Sequence, residues 1–294
     1  MSKKPNKPKG KKTRKIKPLP MVAQGALGIA TGACASVALF LFGLMIAMLP
    51  LSTSVIGANY ANWEDAAYPK QTMEQLGSLA RAFAFSGKHA DDLAEAEWQA
   101  FQANNAALAE QVPVSQDAPA ADKVAAAFDF ARTDPHVSER TVESYLLNAS
   151  AIEHLADCTR LFDAGRILFA AAAMGAVAAG AYLYRRGGHR MLARALTGAS
   201  SAIFIIVSVA LVWALLDFNQ LFSTFHALFF AEGTWTFPSD SLLIQLFPSA
   251  FWAAMLGLWV ICSLVLSAVV LAAGILMQRK TDAREAEGAT AAKG

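Results

Sequence analysis

The chain has 294 residues, of which 55% are hydrophobic and only 16% charged, against about a quarter charged in a soluble domain. The deficit is local: charges gather in an N-terminal tail, one short loop and one long segment, and the stretches between hold none, which excludes an ordinary soluble protein. A net charge of +2 with its basic residues beside a membrane span argues for anionic lipid and against nucleic acid as partner. Cys34, Cys158 and Cys262 form no even-numbered framework and no CxxC pair, so a disulfide scaffold and a thiolate metal site are excluded; they read as small buried residues, and no cofactor is expected.

Residues 1–20 carry nine Lys/Arg and no acid; so basic and Pro-rich a tail has nothing to bury and is expected to be disordered. Residues 21–50 follow without a charge. That is longer than the ~20 residues needed to cross ~30 Å of hydrocarbon and too long for a signal-peptide core, so an uncleaved first span is predicted. Gly28 and Gly32 form a GxxxG pattern in it, compatible with close helix contact. Residues 51–150 reverse the charge balance: between 57 and 161 there are sixteen Asp/Glu against seven Lys/Arg. Trp63, Glu64 and Asp65 open a series of Ala- and acid-rich segments that read as short amphipathic helices, broken by a loop at 111–122.

Ser150 followed by Glu153 predicts a capping box, with a helix running from 150 to Tyr184. Its first turns are polar and its second part, from Ile167, is free of charge. It reads as a helix that enters the membrane and becomes the second span. Residues 185–194 hold four arginines and no acid. Residues 195–217 form a third span, 218–250 an aromatic, turn-containing segment, 251–277 a fourth span, and 278–294 a tail. Basic flanks mark the cytoplasmic side. With four spans all three basic stretches fall there, so both termini are cytoplasmic and residues 51–150 and 218–250 share the extracytoplasmic face. The fold class is an all-α polytopic membrane protein with four transmembrane helices and a mainly helical extracytoplasmic domain in the cell membrane.

That face receives four of the five histidines: His89, His136, His154 and His226. His89 and His136 sit in polar or turn-forming stretches and read as solvated. His154 lies near the helix start, roughly 15 Å above the hydrocarbon edge if the helix stands upright. Asp157 at i+3 is placed to orient it; the other reading is an exposed helix histidine with an ion-pair partner. His226 lies among Phe222, Phe225, Phe229 and Phe230, where an imidazole is costly unless it has a partner or a task; a packing histidine is the other reading. There is no GxSxG, HExxH or P-loop, so an enzyme here has to work by acid–base chemistry. Two imidazoles at the ester level of the lipid suit acyl transfer.

Two segments resemble the bacterial lipoprotein intramolecular transacylases. One is Ala151-Ile152-Glu153-His154-Leu155-Ala156-Asp157 with Leu161-Phe162. The other is Phe225-His226-Ala227-Leu228-Phe229-Phe230 with Trp235, Phe237, Asp240, Leu243-Ile244, Phe247-Pro248 and Phe251. Cys158 stands where the pattern has an aliphatic residue, and residues 57–150 are longer than it requires. The resemblance implies a membrane enzyme acting on a diacylated lipoprotein. The free α-amino group of the diacylglyceryl-modified N-terminal cysteine attacks the sn-2 ester of its own lipid, leaving an N-acylated lyso form. It implies His154 and His226 as the catalytic pair, sharing proton transfer; Asp157, Trp235 and Asp240 are supporting candidates. The competing readings are a non-catalytic membrane scaffold and a transporter subunit, the latter disfavoured because the spans hold almost no charge and no internal repeat. Oligomeric state is not legible.

Overall fold

The computed structural model describes residues 19–60 and 66–292. The tail ahead of Leu19, and Trp63, Glu64 and Asp65, lie outside them. In chain order the helices are α1 (Met21–Ala47), α2 (Pro50–Tyr60), α3 (Lys70–Ser86), α4 (Ala90–Asn104), α5 (Ala106–Ala109), α6 (Ala120–Thr133), α7 (Glu139–Glu143), α8 (Ala149–Arg185), α9 (His189–Leu216), α10 (Phe218–Phe229), α11 (Leu242–Leu246) and α12 (Ser249–Ala291), and there is no strand among the described residues.

Four of them, α1, α8, α9 and α12, are long and apolar enough to cross a membrane, and they pack on one another as a bundle. Side chains such as Ile167, Val177, Ile205, Val209, Val265 and Val269 stay exposed along it, as apolar groups do when lipid is the solvent. At 1.5 Å per residue the 43 residues of α12 span roughly 65 Å, about twice the hydrocarbon thickness. The helix therefore continues beyond residue 277, where the sequence predicted the span to stop. Likewise α9 begins at His189, so Arg190 and Arg194 belong to the helix. Arg190 pairs with Glu285 at 3.2 Å and Asp282 at 3.9 Å on α12. The α8–α9 turn uses Gly187 at φ 81°, with the Gly188 N–H bonded to the Leu183 carbonyl at 2.8 Å, the left-handed cap that glycine supplies cheaply.

Inside the bundle, Ala35, Leu39, Ala199, Ile203, Val207 and Val260 form a buried cluster. Gly28 and Gly32 do face a neighbour, α9, but a Cβ on either would meet only ordinary contacts. The close approach is at Gly43, where a Cβ would collide with the Trp259 carbonyl and Ser263 hydroxyl of α12. Trp259 Nε1–H donates to the Phe40 carbonyl at 2.8 Å across the same crossing.

At the end of the bundle where α8 begins, α2 to α7 and α10–α11 are gathered. The core there runs without a break from the helical domain into the bundle. It joins Met73, Leu76 and Phe83 of α3, Leu93 of α4, Leu155 and Phe162 of α8, Leu242 and Leu246 of α11, and Phe251 of α12. A second cluster, with Trp98, Phe101, Val124 and Phe128, holds α4 against α6. Residues 51–150 and 218–250 thus meet, as a shared side of a four-span chain permits.

The start of α8 differs from the predicted capping box. Asn148, not Ser150, is the cap: its side-chain oxygen accepts the Ala151 N–H at 2.8 Å, while its amide donates to Glu143 at 3.0 Å. Both Asn and Ser cap well; the second bond to Glu143, formed only once α7 is in place, favours the earlier residue. Of the cysteines only Cys158 is fully buried; Cys34 and Cys262 are half-buried among the spans.

Candidate active site

His154 sits on the same face of α8 as Ala151, Leu155, Cys158 and Phe162, at the three- and four-residue spacing that keeps side chains on one stripe. That stripe is the one the domain covers, so His154 is buried, and the reading of it as an exposed helix histidine is overturned. His226 is the single buried residue of α10. The α10 helix begins at Asp217, whose carboxylate accepts the Gln220 N–H at 2.9 Å.

The two imidazoles, 72 residues apart in sequence, face each other with ring centres 5.9 Å apart and planes 30° apart. Aromatic rings enclose them. Phe230 lies 4.8 Å and Phe237 5.7 Å from His154. Phe222 lies 4.0 Å and Trp235 5.2 Å from His226. So close together in such surroundings, protonating one ring disfavours protonating the other.

Hydrogen bonds assign the ring protons. His226 Nδ1 lies 2.8 Å from the Phe222 carbonyl. A carbonyl only accepts, so Nδ1 carries the proton and Nε2 keeps its lone pair. Burial holds His226 below the usual histidine value, against the opposing pull of that carbonyl. His154 Nε2 lies 3.6 Å from Cys158 Sγ. Imidazole nitrogen is a better acceptor than sulfur, which favours the thiol as donor and the ring proton on Nδ1. His154 Nδ1 is buried and has no partner. Trp235 Nε1 is also buried without one.

Of the supporting candidates, Trp235 is at the site. It follows a turn closed by the Thr234 N–H to the Ala231 carbonyl at 3.2 Å, with Gly233 at φ 82° in its third position, where a turn with positive φ calls for glycine. Asp157 does not bond to His154. Its carboxylate is taken by Arg160, also three residues away, because His154 turns into the core while Asp157 stays on the rim. Asp240 does not touch either ring: it accepts two bonds from Arg140 of α7, at 2.9 and 3.0 Å. Gln245 adds bonds to the Asp240 and Ser144 carbonyls. Asp240 therefore ties the loop bearing Trp235 and Phe237 to the helical domain. His89 pairs with Asp92 at the surface, and His136 is exposed, as the sequence indicates.

The thiol of Cys158, the Phe222 carbonyl and the Arg140–Asp240 tie escaped the sequence reading. The i+4 spacing of His154 and Cys158 was the one available signal. Among the described residues no three His, Cys, Asp or Glu side chains are grouped as a metal site. What the niche offers is one free imidazole lone pair and two unpaired N–H donors in apolar surroundings: an arrangement for moving a proton and holding a developing negative charge.

The sequence model of the family Lipoprotein intramolecular transacylase Lit matches residues 116–252, which include both histidines. No curated protein matches the chain. Two solved structures are similar in fold, both of the membrane-integral lipoprotein intramolecular transacylase Lit from Bacillus cereus. The first, at 14% identity and a TM-score of 0.50, covers 90% of this chain and 99% of its own. The second, a variant with one histidine replaced by arginine, has 12% identity, a TM-score of 0.51, and covers 90% and 95%.

Proposed function

We propose, from the premise that residues 116–252 carry the sequence of the lipoprotein intramolecular transacylase family, that this chain is such a transacylase, a membrane acyltransferase. Its substrate is a diacylated lipoprotein, and the reaction moves the sn-2 acyl chain of the diacylglyceryl-cysteine onto the cysteine's own α-amino group. The product is the N-acylated lyso form. The observation that carries this reading is the facing of His154 and His226, 5.9 Å apart, within the matched region.

His226 takes a proton at Nε2 from the attacking amine, which must be neutral to react. The nitrogen–carbon bond forms and the carbonyl electron pair moves to oxygen. When that pair returns, the bond to the glycerol oxygen breaks and His226 gives the same proton to the leaving oxygen. His154 remains neutral and presents Nδ1–H to the negative oxygen, and Cys158 holds its ring in that tautomer. Amine and ester share one molecule, so the protein's main work is orientation. The basic 185–194 stretch and the positive-inside rule support a topology with both termini in the cytoplasm and the histidines at the extracytoplasmic face of the cell membrane. Nothing observed favours a non-catalytic scaffold.

The test is direct. Purified protein mixed with a diacylated lipopeptide should yield the N-acyl lyso form, read by mass spectrometry. His226→Ala and His154→Ala, expressed to wild-type levels, should each reduce the rate by about 10²-fold or more. Undiminished conversion in both would end this assignment of the site.

A further inference from the structure

We propose that the indole N–H of Trp235 is a second oxyanion donor, acting beside His154; this rests on the transacylase reading above. A buried N–H in a folded protein nearly always has a partner, and one without asks for an explanation. The Trp259 indole conforms, donating to the Phe40 carbonyl at 2.8 Å. Trp235 Nε1 is buried and has none.

Trp235 stands beside the histidine pair. Its ring centre is 5.2 Å from that of His226. The turn at 231–234 and a second turn, closed by the Ser241 N–H to the Pro238 carbonyl at 3.0 Å, hold the loop on either side of it. The second turn includes Asp240, fastened to Arg140. The loop is thus pinned, as preorganised catalysis requires.

The chemistry needs one lone pair to carry a proton and donors for the oxygen that becomes negative. His226 Nε2 is the lone pair. His154 Nδ1–H and Trp235 Nε1–H are the donors. An indole N–H donates and never accepts, so Trp235 takes no part in the proton transfer: it receives a hydrogen bond's share of the charge when the carbonyl pair moves to oxygen and loses it when the carbonyl re-forms.

The experiment replaces Trp235 with β-(3-benzothienyl)alanine, which keeps the bicyclic shape and puts sulfur where the N–H was. The full-length protein is assayed on the diacylated lipopeptide beside wild type and Trp235→Phe. The expected result is kcat lower by about 10²–10³-fold in the sulfur isostere, with KM and the acid limb of the pH–rate profile unchanged and a melting temperature no lower than wild type. An isostere within about threefold of the wild-type kcat overturns the proposal, as does one whose loss lies in KM or in thermal stability. A wild-type chain that leaves the lipopeptide unchanged would instead reject the transacylase reading itself.

Discussion

At His226 the hydrogen bond from Nδ1–H to the Phe222 carbonyl does two things. It fixes the tautomer, and in the proposed reaction it would steady the ring once protonated. Burial works the other way and dominates, so the imidazole stays neutral to lower pH than an ordinary histidine. In the proposed mechanism activity needs the neutral ring and is lost as pH falls through its value. The substrate amine also has to be neutral, and an α-amino group loses its proton near about 7.7. The logarithm of kcat/KM should therefore fall with unit slope below about pH 7.7 and steepen to a slope of two only below about pH 6.5, the ordinary imidazole value. Rates measured across that range check this, and a histidine limb above the ordinary value would contradict it. At this scale the sequence supplied the two histidines and Trp235. It left open that Asp157 pairs with Arg160 and Asp240 with Arg140, because spacing along the chain says which groups are near each other and not which of two partners a carboxylate takes.

Among the elements, α1 and α12 meet most closely where only a residue without a side chain fits. Gly43 lies against the Trp259 carbonyl and Ser263, and the GxxxG pair nearer the start of α1 packs less tightly. Replacing Gly43 with leucine should force the helices apart and destabilise the bundle by about 1–3 kcal/mol, the usual cost of overpacking. Gly25→Ala, with nothing within 4 Å of its Cβ, should be neutral. Thermal unfolding in detergent compares the two; an unaltered melting temperature for Gly43→Leu would mean the crossing is looser than described. The motif marked a true helix contact, with α9, but not the tightest one, because it registers spacing on one helix and the fit depends on what the other helix presents.

Across the whole molecule, the helical domain and the bundle share one core, and Glu97 of α4 lies buried near their junction. The Leu147 N–H bonds its carboxyl, just before the Asn148 cap of α8, yet Oε1 has no partner. Burial pushes its pKa well above the usual carboxylate range, so the folded protein holds a proton that the unfolded chain releases. Stability from this group is full below about pH 4.5 and is lost as pH rises toward the folded value. Glu97→Gln, which has no such proton to lose, should raise the melting temperature near pH 8 and leave it little changed near pH 4, a gain of about 1 kcal/mol or more. Melting curves at the two pH values decide it: an equal effect at both, or a lower melting temperature at the higher pH, would show that Glu97 is ionised in the fold.

The number of spans and the all-helical class were legible in residues 21–294 because crossing hydrocarbon is a one-dimensional requirement: enough consecutive apolar side chains and no charge. The same arithmetic brought residues 51–150 and 218–250 to one face. Which nitrogen of each histidine is free, that His154 turns inward, and that Asp240 holds a loop through Arg140 were decided only when α8, α10 and the helical domain packed. Hydrogen-bond partners and burial are properties of neighbours in space, and 72 residues of chain between the two imidazoles carry no record of their meeting.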